Sequence, residues 1–230
     1  MRYESRFLAG ELLANFIVDN EKPLSEEIFQ DVQHFFCFAI PNGGVPVAEG
    51  FCTKLNIKYD LLIVRKIKIP YNPEAGFGAI APDGSVFINE SLLYRLNLNQ
   101  KEIENSIELT KNEINERLIY YGKTTNLDDI LKRNIQNNTI FMIDDGLASG
   151  YTMLAAIKMV KKYKPKQIFI SIPTAPLHTV KNLQKETDKI FCPNIRDTNW
   201  FAVADAYKHW YDVSELEVMD IITHSKSYYR

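Results

Sequence analysis

The sequence is poor in cysteine, lacks an apolar run long enough to span a membrane, and has no excess of basic residues. Its three cysteines, Cys37, Cys52 and Cys192, show no Cys-X-X-Cys spacing, which predicts reduced thiols in a cytosolic protein and disfavours a metal site. Lys and Arg number 27 against 29 Asp and Glu, so the formal net charge of −2 argues against a nucleic-acid-binding surface. Acids interrupt the apolar pattern of residues 1–17, so no signal peptide is predicted. We expect a cytoplasmic protein that binds neither nucleic acid nor membranes.

The chain does contain a regular alternation of short apolar runs and amphipathic stretches. Runs rich in β-forming residues predict buried strands at 35–40, 60–66, 139–144 and 167–173. Amphipathic patterns predict helices at 45–56, 99–122, 152–164 and 176–188. This alternation predicts an α/β fold, a doubly wound and mainly parallel sheet with helices on both faces, within a single domain of residues 1–230.

A strand end rich in positive charge leads into a stretch rich in glycine and proline. Glycine and proline are concentrated in residues 66–84, which predicts a long flexible loop. Long loops in compact domains are often lids or binding loops. Arg65, Lys66 and Lys68 lie at its start and could hold a multiply charged leaving group. A solvated basic turn is the alternative for this cluster taken alone.

The most informative segment is Ile143–Thr152, where two acids directly precede a run of small and hydroxylated residues. A strand, a glycine-rich loop and a helix N-terminus in this order can bind a phosphate. Ionised Asp144 and Asp145 only accept hydrogen bonds, so they need a donor such as a pair of sugar hydroxyls, or a nearby Mg²⁺. A sugar phosphate satisfies both halves of the segment. The alternative is a helix cap with two solvated acids.

A second glycine-containing turn lies between the first predicted strand and the first predicted helix. Asn42, Gly43 and Gly44 precede Pro46, a residue that suits the first turn of a helix. Main-chain amides at such a turn can bind a further anion, although Gly-Gly turns are common by themselves.

Together, these three segments resemble the type I phosphoribosyltransferase family. The sequence FMIDDGLASGYTM, residues 141–153, is similar to the family's signature for binding 5-phosphoribosyl pyrophosphate (PRPP), and NGGVPVA, residues 42–48, occupies the place of its pyrophosphate loop. The VRK at 64–66 with the following loop occupies the place of the family's basic residues and catalytic loop. The similarity extends over roughly residues 35–175 and is strongest to a subgroup of predicted phosphoribosyltransferases with an undefined acceptor.

The resemblance implies a reaction and a role for each matching residue. The 5-phosphoribosyl group of PRPP would pass to a nitrogenous base or similar small acceptor with release of pyrophosphate. Mg²⁺ would be the cofactor, with no residue assigned as its direct ligand. Asp144 and Asp145 would hold the ribose hydroxyls. The other implied substrate contacts are Ala148, Ser149, Gly150, Tyr151 and Thr152 at the 5′-phosphate, Asn42, Gly43, Arg65 and Lys66 at the pyrophosphate, and Gly44 and Gly146 at the substrate in general.

Two positions depart from the family pattern. Hypoxanthine-type members carry an acid where this chain has Ala148, so transfer to a 6-oxopurine becomes less favoured, and Glu74 in the 66–84 loop is a candidate for acid–base chemistry instead. Asn42 stands where the subgroup often has arginine, which weakens the expected grip on the pyrophosphate. A PRPP-sensing regulator without catalysis, and a nucleotide-binding protein of another class, are the alternatives.

The chain ends, residues 1–30 and 190–230, are expected to form a small hood that recognises the acceptor, and the resemblance also implies a homodimer. The C-terminal part is rich in aromatic residues, which are Trp200, Phe201, Tyr207, Trp210 and Tyr211. These rings can form a stacking surface for a flat base or can pack a small subdomain.

Overall fold

The computed structural model describes residues 1–124, 127–198 and 200–230. In these ranges the helices are α1 (Arg6–Asn20), α2 (Lys22–Gln30), α3 (Gly44–Leu55), α4 (Glu90–Leu96), α5 (Gln100–Tyr120), α6 (Leu127–Ile135), α7 (Tyr151–Lys161), α8 (Leu177–Leu183) and α9 (Glu215–His224). The strands are β1 (Phe35–Ala39), β2 (Lys58–Leu61), β3 (Arg65–Ile69), β4 (Asn72–Ile80), β5 (Val86–Ile88), β6 (Thr139–Ile143), β7 (Gln167–Ser171), β8 (Thr174–Pro176), β9 (Lys189–Phe191) and β10 (Asn194–Arg196).

A parallel sheet in the order β2-β1-β6-β7-β9 forms the centre of the molecule. Because side chains alternate along a strand, Phe141 faces a core built with α1, α3 and α9, whereas Met142 faces a second core built with α6, α7 and α8. Both faces of the sheet are therefore covered. The predicted doubly wound α/β fold is confirmed.

The predicted strands at 35–40, 139–144 and 167–173 correspond to β1, β6 and β7. The prediction of one strand over 60–66 is wrong, because this run contains the end of β2 and the beginning of β3. Residues 62–64 between them are buried without belonging to a strand. The apolar residues thus continue in sequence past the point where the backbone leaves the sheet, so the run looks like one strand.

The prediction of a loop over residues 66–84 is also wrong. Most of this segment forms β3 and β4, which pair antiparallel, and β5 completes a small antiparallel sheet. Gly78 lets β4 approach β5 closely, because a methyl group there would overlap the main-chain oxygen of Phe87. Pro70 lies in the turn between β3 and β4, so glycine and proline in this segment belong to a small sheet and not to a long loop.

The two chain ends meet near the carboxyl ends of the central strands. Tyr3 forms a β-bridge with Tyr207, and β10 pairs with β8. Helices α1 and α9 both pack on α3, and β9 belongs to the central sheet. The division into a hood of 1–30 and 190–230 stays a prediction. Among the described residues, no helix combines the length and apolarity needed to cross a membrane.

Candidate active site

The acid-containing segment leaves the sheet at its carboxyl edge. Strand β6 ends at Ile143, the two acids follow, and α7 begins at Tyr151. The helix is preceded by Gly150, whose φ of 78° lies in the left-handed region that favours glycine. This strand–loop–helix arrangement is the one that the sequence predicts, with the helix one residue earlier than the expected start near Thr152.

A cleft of about 440 Å³ opens over this segment. The loop and the first turn of α7 form one wall, and the β3–β4 hairpin with α4 forms the other. The lining residues are Lys66, Ala75, Gly76, Gly78, Leu92, Asp144, Gly146, Leu147, Ala148, Ser149, Gly150, Tyr151, Thr152 and Met153. Eight of the residues proposed from sequence therefore share one cleft, which is lined by Lys66 as well as by the anion loop.

The turn with Asn42, Gly43 and Gly44 lies directly beside the two acids. A methyl group on Gly43 would overlap the carboxylate of Asp145, and one on Gly44 would lie about 3 Å from the main chain of Asp144. Absence of a side chain at both positions therefore permits the contact between the two loops. The peptide bond between Pro41 and Asn42 is cis.

The two acids differ in their electrostatic surroundings. Burial, together with the neighbouring charge of Asp145, raises the pKa of Asp144 well above its usual range. Burial also raises the pKa of Asp145, but the hydrogen bond and the charge of Arg6 oppose that rise. The side chain of Asp144 accepts a hydrogen bond from the main-chain N–H of Asp145 at 2.8 Å. A positive charge thus acts most directly on Asp145.

Two residues from the chain ends hold Asp145. Arg6, at the start of α1, donates a hydrogen bond from Nε to Oδ2 of Asp145 at 2.8 Å. Tyr207 donates its hydroxyl to the main-chain oxygen of Asp145 at 2.6 Å. The guanidinium of Arg6 lies 4.1 Å from the ring centroid of Trp210, and it also stacks near Tyr207 and Tyr211.

The other basic residues proposed from sequence have acidic partners. Arg65 and Lys68 both pair with Glu113 of α5, at 3.2 and 2.8 Å. Burial raises the pKa of Glu113, but the hydrogen bond from Lys68 and the charge of Arg65 outweigh it and hold this pKa below its usual value. Arg65 is therefore directed at α5, whereas Lys66 lines the cleft.

The side-chain amide of Asn42 is engaged at both ends. Its Nδ2 donates to the main-chain oxygen of Val213 at 2.8 Å, and its Oδ1 accepts from Arg117 of α5 at 2.7 Å. Arg117 also pairs with Glu215 of α9 at 2.9 Å. The subgroup often has an arginine at position 42, where this chain has Asn42. Here Arg117 of α5, which is distant in sequence, supplies a guanidinium next to this position.

Two further expectations concern Glu74 and the aromatic residues. The side chain of Glu74 lies outside the described residues, so its proposed acid–base role stays a prediction. Trp200 is 92% exposed, whereas Tyr207 is buried and Trp210 and Tyr211 pack towards Arg6. These three rings contribute to packing around Arg6, and a stacking role for the others stays a prediction.

Sequence reasoning missed Arg6, Glu113 and Arg117, and it proposed Tyr207 for its ring but not for the hydrogen bond that its hydroxyl donates to Asp145. One signal was available for Arg6, because it lies on the buried stripe of α1 together with Ala9, Gly10, Leu13, Ala14 and Ile17. A charge on an apolar helix face requires a buried partner of opposite sign. The sequence does not indicate which acid that partner is.

Comparison with known proteins agrees with this geometry. Residues 9–210 match the family model described as phosphoribosyl transferase domain. Two curated relatives from two strains of Mycobacterium tuberculosis, MT0597 and Rv0571c, are provisionally named phosphoribosyl transferases. Each is 26% identical over 180 residues, which are 78% of this chain and 39% of the relative. The chain therefore spans about two fifths of the length of these relatives.

The crystal structure of TT1426 from Thermus thermophilus has a similar fold, with a TM-score of 0.68 and 23% sequence identity over 96% of this chain and 97% of that one. This likeness supports the fold alone. The family model covers most of the sequence, including the acids, the anion loop and the paired glycines. The predicted family is confirmed: the chain belongs to the phosphoribosyl transferase domain family.

Proposed function

We propose that this protein is an Mg²⁺-dependent phosphoribosyltransferase that transfers the 5-phosphoribosyl group from PRPP to a nitrogenous base or similar small acceptor and releases pyrophosphate. The observation that carries the proposal is the shared cleft. Asp144, the glycine-rich loop before α7 and Lys66 all line it. The family model and the names of the curated relatives support phosphoribosyl transfer in general.

The anion loop is suited to the 5′-phosphate. Helix α7 has 11 residues, and the main-chain amides at its N-terminus attract negative charge. Ser149 and Thr152 both line the cleft, and their hydroxyls can donate further hydrogen bonds to phosphate oxygens. A phosphate held here places the attached ribose towards the acids at the start of the loop.

The acids are suited to the ribose. Carboxylates accept hydrogen bonds from a pair of sugar hydroxyls, and their negative charge stabilises the positive charge that builds on the ribose as the bond at C1 breaks. On the leaving side, Lys66 and the main chain at Asn42–Gly43 would stabilise the charge that collects on pyrophosphate. The β3–β4 hairpin, which lines the cleft, would limit the access of water, the competing acceptor.

The donor set fits Mg²⁺ bound together with substrate. Among the described residues, no group of three or more His, Cys, Asp or Glu side chains could enclose a metal ion. Mg²⁺ usually takes one or two carboxylates, substrate phosphate oxygens and waters rather than a cage of protein ligands. Asp144 and Asp145 are the carboxylates that would supply its protein contacts. When bound, the ion neutralises charge on the pyrophosphate.

A PRPP-sensing module that binds without transfer is the second candidate function. Arg65 and Lys68 are paired with Glu113, and the side chain of Asn42 is engaged by Arg117 and Val213. These pairings leave fewer groups to stabilise a departing pyrophosphate, which suits a binding protein better than a fast enzyme.

The decisive variant is the double replacement Asp144→Asn/Asp145→Asn, tested by calorimetric titration with PRPP and Mg²⁺. We expect the wild-type protein to bind with a Kd between micromolar and millimolar, and the double variant to lose most of this binding, because each amide is uncharged and keeps only one of the two acceptor oxygens of a carboxylate. A matched control is Asp128→Asn/Asp129→Asn, which changes two adjacent acids in the first turn of α6 and should bind normally.

Unchanged binding in the acid-pair variant contradicts the assigned site. A second assay measures pyrophosphate release across purines, pyrimidines and nicotinate-like acceptors. Release with one acceptor identifies an enzyme and its substrate, whereas silence across the panel despite PRPP binding favours the sensor.

A further inference from the structure

We propose that Arg6 is a positioning residue for Asp145, and that the aromatic residues Tyr207, Trp210 and Tyr211 hold Arg6 in that role. This inference rests on the proposed function, because it concerns how the acid that would bind the ribose is held. The N-terminal helix and the C-terminal segment would then determine together how well the ribose hydroxyls are recognised.

The contact between Arg6 and Asp145 is buried and directional. The side chains are 5% and 13% exposed, and Nε of Arg6 lies 2.8 Å from Oδ2 of Asp145. Gly43 packs against the same oxygen, since a methyl group there would overlap it. Oδ2 is thus enclosed between a guanidinium and a main-chain turn. The ion pair fixes the plane of the carboxylate, and Oδ1, which does not contact Arg6, would be the oxygen that accepts a hydrogen bond from a sugar hydroxyl.

Arg6 is itself held by rings from a segment distant in sequence. Its Cζ atom lies 4.1, 5.3 and 5.4 Å from the ring centroids of Trp210, Tyr211 and Tyr207. A planar guanidinium can stack on aromatic faces while it donates in its own plane, which the ammonium of lysine cannot do. Tyr207 also donates to the main-chain oxygen of Asp145, so the same segment contacts this acid directly and through Arg6.

A purely structural ion pair would show similar burial, and the chain contains one that serves as a matched control. Lys123 pairs with Asp60 at 2.6 Å, and the two side chains are 13% and 4% exposed. The Nζ atom of Lys123 also lies 4.8 Å from the ring centroid of Tyr228. Asp145 lies between Asp144 and Gly146, which both line the cleft that holds the anion loop, whereas Asp60 and Lys123 have no chain neighbour among the residues that line it. A loss of ribose recognition in Arg6 variants but not in Lys123 variants therefore separates positioning from stability.

The experiment measures the affinity of the full chain for PRPP with Mg²⁺, and for ribose 5-phosphate against 2-deoxyribose 5-phosphate, by calorimetry. The variants are Arg6→Lys, Arg6→Gln and the control Lys123→Gln, each checked for folding by circular dichroism. We expect Arg6→Gln to weaken PRPP binding by about 10- to 100-fold, in the range typical of residues that orient a binding group. The preference for ribose over deoxyribose should fall towards one. Arg6→Lys should recover part of both, and Lys123→Gln should keep wild-type values.

Wild-type affinity and an unchanged ribose preference in a folded Arg6→Gln protein overturn the inference while the proposed function stands. If Arg6→Gln does not fold, Arg6→Lys and Trp210→Leu decide, because both keep a positive charge at position 6 but disturb its stacking. Wild-type affinity for PRPP together with a wild-type preference for ribose over deoxyribose in both of these variants also overturns the inference. A wild-type protein that binds no PRPP overturns the proposed function and the inference with it.

Discussion

Two buried ion pairs lie beside aromatic residues of the C-terminal segment, and they differ in what else surrounds them. Lys123 and Asp60 form one pair at 2.6 Å, beside Tyr228 near the C-terminus. Arg6 and Asp145 form the other at 2.8 Å, beside Trp210. In both pairs, a buried aspartate contacts a cation that lies over an aromatic ring.

The difference lies in the neighbours of each aspartate. Asp60 accepts the main-chain N–H of Leu61 and lies within β2, so its oxygens are used inside the fold. Asp145 has Asp144 beside it, Gly43 against its carboxylate and the glycine-rich loop after it. A buried ion pair beside an aromatic ring thus stabilises the fold in the case of Asp60 and belongs to a candidate binding site in the case of Asp145. The loops around each aspartate decide which of these two roles its ion pair has.

The largest expected effect is on stability, at the structural pair. Replacing Lys123 by Gln leaves Asp60 buried without a compensating charge, and we expect the free energy of unfolding to fall by about 3 kcal/mol. Chemical denaturation at neutral pH measures this loss. Adding Asp60→Asn in a double variant should restore part of it, because the uncompensated charge is then gone. No recovery in the double variant would mean that lost packing, rather than charge, causes the effect.

A second prediction acts at the functional pair without removing either charge. Gly43 has φ −60°, which alanine adopts freely, so Gly43→Ala disturbs the site only through the overlap of its methyl group with the Asp145 carboxylate. A displacement of about 1 Å can lower a rate by on the order of 10²-fold. We expect a loss of this size in pyrophosphate release, or a matching loss of PRPP affinity if the protein is a sensor.

Thermal unfolding serves as the companion measurement for Gly43→Ala. A melting temperature near that of the wild type, combined with weak PRPP binding, supports the contact between the two loops as a feature of the site. Normal binding would show that the acid pair tolerates displacement and that its position is not important for the ligand.

The smallest expected effect concerns Glu113. Its ion pairs with Arg65 and Lys68 are half-buried, so they are more exposed to solvent than the two buried pairs. Replacing Glu113 by Gln removes a negative charge next to two cations, so we expect pyrophosphate to bind up to about fivefold more tightly, the scale of an exposed ion pair. The affinity gain should shrink as salt is added. Weaker pyrophosphate binding would contradict a role for these cations at the leaving group.

The same variant has a pH signature of known sign. The pKa of Glu113 is lowered in the folded protein, so its pairs contribute stability above the unfolded-state pKa, and this contribution is lost as pH falls through the folded-state pKa. The difference in unfolding free energy between the wild type and Glu113→Gln should therefore be constant near neutral pH and shrink in acid. A difference that grows in acid would show that the carboxylate is destabilised in the fold.

Local sequence predicts the parts of this protein that depend on local pattern. Strands β1, β6 and β7 lie within one or two residues of their predicted bounds, because central strands are apolar on both faces. The run at 60–66 misleads for the same reason, since buried residues 62–64 continue the apolar pattern after β2 has ended. In the 66–84 hairpin, glycine and proline indicate a loop, although Gly78 is required by close strand contact.

The sequence by itself determined the doubly wound sheet and the placement of two acids before an anion loop, because both follow from patterns within a few residues. Only the tertiary structure decided that Arg6 meets Asp145 across 139 positions of sequence, that Glu113 pairs with both Arg65 and Lys68, and that Arg117 reaches Asn42. A buried or half-buried charge requires a partner, but the path of the chain through space decides which residue that partner is.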